Sequence, residues 1–120
     1  MDEKEIRILG RSYQFALRII KIGKVFPESN GANIIANQLL RAGTSIGANV
    51  EEAIAAYSKL DFIYKMSIAL KEARETHYWL CLIRDSSILK PARLQAIISE
   101  SEEIKKILGA IVRTARRKQR

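Results

Sequence analysis

From Phe62 to Ile83 the chain sets Phe62, Met66, Ala69, Ala73, Thr76, Leu80 and Ile83 at strictly alternating steps of four and three, with no proline or glycine between them. That period describes one face of a helix, and a seam of this length needs apolar partners along all of it. The stretch before it repeats the pattern through Leu39, Ala42, Ile46, Asn49, Ala53 and Ala56. Beside that stripe Gly43, Gly47 and Ala48 leave a face almost bare. Each glycine costs roughly 1 kcal/mol against alanine inside a helix, so a pair one turn apart points to close approach by another helix in preference to a local kink. Two long helices, 32–57 and 59–85, are therefore expected, joined by a turn in which Ser58 and Asp61 form an S-x-x-D start signal.

The flanks supply two more helices. The first, over 3–25, opens on acidic residues that suit the positive end of a helix dipole and is halted by Pro27. Its inward stripe is read as Ile6, Leu9, Tyr13, Ala16 and Ile20, supplemented by Leu17 and Ile19, with Lys4, Arg7, Arg11, Gln14, Arg18 and Lys21 on another face. Asn30 is the expected N-cap of the second helix. The last, over 91–117, has Pro91 in its first turn and Leu94, Ile97, Ser101, Ile104, Leu108, Ile111 and Ala115 as its stripe. Four helices of this length fill a chain of 120 residues, giving one all-α domain over 1–120 with up-and-down antiparallel topology.

Few kinds of chemistry fit this chain. One histidine and one cysteine fall short of a structural zinc site, and the cysteine has no partner for an internal disulfide. A di-iron bundle needs Glu-x-x-His on two helices, whereas Arg74 stands three residues before His77. Glu72 and Glu75 read as a charged face with Lys65, Lys71 and Arg74 in reach. The Gly43/Gly47 pair lacks the lysine of a phosphate loop, and Arg41, Glu51 and Glu52 flank it too closely for a membrane span. No catalytic residue, metal site or cofactor is expected. The opening MDEKEIR lacks an apolar signal segment, so the cytoplasm is the expected location. Asn49 interrupts its apolar stripe and is expected to take a structural role, bonding within the core with Thr44 or Thr76 among the conceivable partners or fixing an assembly's register, in preference to an outward tilt at the edge of the stripe.

Charge is the remaining functional signal. The formal net charge is +8, and it is segregated: 6–27 and 104–120 hold no acidic residue. Because the first and last helices of such a bundle are neighbours, these segments are expected to merge into one patch of Arg7, Arg11, Arg18, Lys21, Arg113, Arg116 and Arg117 that attracts phosphate backbones. Gly43, Gly47, Tyr64, Tyr78 and Trp79 exceed the needs of one bundle and are expected to form an interface between copies.

The run Arg41-Ala42-Gly43-Thr44-Ser45-Ile46-Gly47-Ala48-Asn49-Val50-Glu51-Glu52-Ala53 carries a family likeness. So do Ser58, Lys59, Asp61, Phe62, Lys65, Ser67 to Ala73, Glu75-Thr76 and Tyr78-Trp79-Leu80. Together they resemble the small bacterial four-helix proteins encoded within intervening sequences of 23S ribosomal RNA genes. The resemblance implies an up-and-down bundle assembled into a ring, often a pentamer. A related branch consists of RNA-binding accessory proteins of the reverse transcriptases of diversity-generating retroelements. No catalytic residues come with the likeness. The expected function is a non-enzymatic homo-oligomer that binds RNA through the basic patch, with a protein adaptor, such as an accessory subunit of a reverse transcriptase, as the alternative.

Overall fold

The computed structural model describes residues 2–119. Its helices are α1 (Glu3–Gly23), α2 (Asn30–Ile54), α3 (Lys59–Asp85) and α4 (Pro91–Lys118). Each packs on its two neighbours, α1 on α2 and α4, and α3 on α2 and α4, in a rod of 48 × 21 × 21 Å. The topology is the up-and-down bundle that the four apolar stripes require.

Local chemistry sets the helix ends. Asp2 and Glu5 form a reciprocal capping box on α1. The α2 cap is Ser29, whose hydroxyl accepts from the Ala32 amide; Asn30 is the first helical residue and not the cap. Ser58 caps α3 through the Asp61 amide. At the other end of α3, Ser87 takes a φ of 61° while its amide bonds to the Arg84 carbonyl and that of Ile88 to the Ile83 carbonyl. These paired bonds close the helix and turn the chain toward Leu89, which is buried. α1 stops two residues short of Val25, as the residue before a proline is driven out of helical backbone geometry and the chain must leave the helix ahead of it. α2 ends at Ile54, short of Tyr57, leaving Tyr57 fully exposed in the turn.

The core follows the α3 and α4 stripes closely. Met66, Ala69, Ala73, Thr76, Leu80 and Ile83 are buried, with Phe62 half-buried against them, and Leu94 through Ile111 fill the facing stripe of α4. On α2 the buried position is Val50, and Asn49 lies at the edge of the stripe. Asn49 donates to the Ser45 carbonyl of its own helix at 2.8 Å, so neither Thr44 nor Thr76 is its partner.

α1 departs most from expectation. Its core face is Ile8, Ser12, Phe15 and Ile19. Ile6, Tyr13, Leu17 and Ile20 are 54%, 63%, 44% and 40% exposed. The helix carries two apolar stripes, and Ser12 in the buried one disguised it. That serine satisfies itself by donating to the Leu9 carbonyl at 3.1 Å, and its small size lets α1 settle against α2. Gly43 and Gly47 meet it there. A Cβ at Gly43 would lie 2.8 Å from Ile19 Cγ1, and one at Gly47 3.3 Å from Ser12 Oγ.

Candidate nucleic-acid interface

The register between α1 and α4 decides where the basic residues go. Arg11 Nη2 donates to Glu100 Oε1 at 2.7 Å and Arg11 Nε to Glu100 Oε2 at 3.0 Å, a two-pronged pair across the helices. This hydrogen bond raises the Arg11 pKa further and consumes the planar fork. With antiparallel helices rising about 1.5 Å per residue, Arg18 then falls level with Arg93 and about 30 Å along the axis from Arg113. The tail of α4 lies instead beside the acidic start of α1. Asp2, Glu3 and Glu5 share with Lys118 and Gln119 an open cleft of about 810 Å³ at that end of the rod.

The two acid-free segments thus do not merge. Arg7 sits within 3.6 Å of Glu3, while Arg18 and Lys21 lie exposed near the far end of α1. Arg113 and Arg116 turn toward α3: Arg116 Nη2 donates to Ser67 Oγ at 3.3 Å, and Arg113 closes over Gly109. Arg117 is exposed on the last turn of α4.

What forms instead is a cationic cleft between α3 and α4, of about 300 Å³, lined by Leu70, Arg74, Lys105, Lys106, Gly109 and Arg113. None of these side chains is acidic. Lys105 pairs with Glu102 at 3.2 Å, whereas among the described residues no carboxylate stands within ion-pair reach of Arg74, Lys106 or Arg113. Gly109 matters because a side chain there would meet the Arg113 guanidinium at 3.3 Å. The sequence reading missed Arg74, Lys105 and Lys106. Their signal was present in the antiparallel pairing of α3 with α4, which brings the one α3 arginine on that edge against the acid-free half of α4.

Beside this cleft on the same two helices, His77 Nε2 lies 2.8 Å from Glu102 Oε2, with Cys81 Sγ 3.8 Å from the same nitrogen. The Lys105 hydrogen bond, and then the charges of Lys105 and Lys106, hold the Glu102 carboxyl below its usual pKa. Among the described residues no group of three or more histidine, cysteine, aspartate or glutamate side chains comes together to hold a metal. No described helix is long and apolar enough to cross a membrane.

The expected interface residues separate as well. Gly43 and Gly47 face α1 of the same chain, so they are spent inside the bundle and do not form a surface. Tyr64 and Tyr78 remain exposed on α3, with Lys71 midway between them at heptad spacing. Trp79 is half-buried; its edge meets Tyr78 at 5.1 Å, and its Nε1 donates to Glu75 Oε2 at 3.0 Å. Glu75 belongs to a cluster in which Arg41 of α2 reaches Gln38, Glu72 and Glu75. Glu72 is buried, so its partner is this α2 arginine and not the lysines read from its own helix.

The model of the family described as 23S rRNA-intervening sequence protein matches residues 4–110. Among solved structures, a protein of unknown function from the S23 ribosomal protein family of Bacteroides thetaiotaomicron is 40% identical, with a TM-score of 0.85 over 92% of this chain and 98% of that one. A search of the curated proteins finds no match.

Proposed function

The chain belongs to the 23S rRNA-intervening sequence protein family, and from that premise we propose that it is a self-associating, non-catalytic bundle that binds nucleic-acid backbones through the α3–α4 cleft. The observation that carries this reading is the convergence of Arg74, Lys106 and Arg113 with no carboxylate within ion-pair reach among the described residues. Two guanidinium forks and an ammonium in one groove present paired donors to successive phosphates. Contacts of this kind position a backbone without reading bases. RNA is named as the ligand class on the ribosomal descriptions of the family and of the similar structure.

The test is fluorescence anisotropy with a short single-stranded RNA at 50 mM salt. Changing Arg74, Lys106 and Arg113 together to glutamine is expected to weaken binding at least tenfold while leaving helicity unchanged. The matched change of Arg18, Lys21 and Lys24, equal in charge, is expected to weaken it less than threefold. Equal losses from both sets would make the attraction a matter of net charge and remove the cleft as a site.

Exposed Tyr64 and Tyr78 favour a second reading, a protein adaptor docking through the outer face of α3. An RNA titration without response at low salt shifts the weight to it.

A further inference from the structure

The cationic cleft lies between two bridges that join α3 to α4. Toward the α4 N-terminus, within a turn of Lys106, His77 Nε2 stands 2.8 Å from Glu102 Oε2. Toward the α4 C-terminus, within a turn of Arg113, Arg116 Nη2 donates to Ser67 Oγ at 3.3 Å. The first bridge presents a carboxylate and the second a guanidinium, so the two ways out of the cleft are electrostatically opposite. Glu102 is 37% exposed, and Lys105, bonded to its other oxygen at 3.2 Å, keeps it ionised. In the other direction α4 has no acidic residue from 104 onward, and α3 has none between Asp61 and Glu72. A phosphate chain laid along this groove is attracted at Arg113, Arg116 and Arg117 and repelled where it would pass Glu102.

The cleft also holds more charge than a passing backbone needs. Arg74, Lys106 and Arg113 have no carboxylate within ion-pair reach among the described residues, and Lys106 and Arg113 lie only about 10 Å apart along α4. A phosphodiester within a strand brings a single negative charge. A terminal phosphate monoester brings about −1.5 to −2 at neutral pH and a third strong acceptor oxygen. Two guanidinium forks and an ammonium around one point match the monoester. Gly109 keeps the space between them open, since a Cβ there would lie 3.3 Å from Arg113 Nη1. Resting on the backbone-binding reading of the same cleft, we propose that it is an end-binding site, which holds the terminal phosphate monoester of an RNA strand in preference to a phosphodiester within one. The strand then leaves over Arg116 and Arg117. Reaching Arg18 and Lys21 from there takes a long strand that doubles back across α4.

Competition against a labelled RNA tests this, with one short unlabelled strand made in three forms: hydroxyl at both ends, 5′-phosphate and 3′-phosphate. At least one phosphorylated form is expected to compete about tenfold better than the hydroxyl form, the worth of one added charge-assisted hydrogen bond. A hydroxyl-ended strand two nucleotides longer, equal in added charge, is expected to gain less than about threefold. Glu102→Gln is expected to tighten the hydroxyl-ended strand and to shrink the advantage of the phosphate below about threefold, with unchanged circular dichroism, because the groove no longer stops a continuing backbone. An advantage that survives this change would overturn the direction of the strand. A free mononucleotide that competes as well as the phosphorylated strand would make a small nucleotide the ligand and overturn the proposal. If strands of equal charge compete equally while the joint change of Arg74, Lys106 and Arg113 still weakens binding, the end preference is wrong and the cleft remains a backbone site. If that joint change has no effect, both readings fall.

Discussion

Gly43 is a hydrogen atom where any other residue would carry a methyl group or more, and the spacing of α1 from α2 is set by that difference. Its nearest neighbour is Ile19, fully buried and branched at Cβ, which has little rotamer freedom with which to yield. Gly43→Ala gains up to about 1 kcal/mol of helix propensity and loses about 1–3 kcal/mol to overpacking. The expected net loss is about 1–2 kcal/mol, read as a lower urea midpoint with an unchanged m-value. Gly47→Ala is expected to cost less, because its contacts with Ser12 begin at 3.3 Å. The sequence favoured close approach by a neighbour at this face, since two glycines one turn apart suit tight packing better than a local kink. It did not show whose helix approaches. Small residues look alike whether the neighbour is another part of the chain or another copy, and only the fold assigned them to Ser12 and Ile19.

Among the elements, α3 and α4 were legible because each has a long apolar seam at strict helical spacing that runs inward, even though α3 adds Ile63, Ile68, Leu70, Trp79 and Leu82 beside it. α1 was not, for the reason that it has two. The outward stripe is the more hydrophobic to read, with tyrosine, leucine and isoleucine at every step, while the inward one contains Ser12. Burial reverses the ranking. Phe15, 1% exposed, is expected to cost about 3–5 kcal/mol on change to alanine, and Ile6→Ala to change stability of the monomer by less than about 0.5 kcal/mol. Chemical denaturation at low protein concentration reads both. Comparable losses at the two positions would mean that α1 is rotated from the face described here.

Across the whole molecule, helix pairing alone could not locate the charge, because neighbouring helices in an antiparallel bundle share a side of the rod but not a level on it. Arg11 and Glu100 fix that level. They carry Arg18 and Lys21 to one end of a 48 Å rod and leave Arg113 near the other, where α3 contributes Arg74. Two separated sets of cations have a measurable consequence. On single-stranded RNA each neutralised phosphate contributes about 0.7 to the slope of log affinity against log salt. Losing Arg74, Lys106 and Arg113 is expected to reduce the slope by about 2 on RNA of any length. Losing Arg18 and Lys21 is expected to reduce it by about 1.4 only when the strand is long enough to span the intervening 30 Å or so, and not on a short oligonucleotide confined to the cleft. On the long strand the two losses in binding free energy should add to within about 0.5 kcal/mol, as expected for sites far beyond contact distance. A short strand that senses Arg18 and Lys21 as strongly as the long one would mean that the phosphates follow α1, and the cleft between α3 and α4 would lose its claim to them.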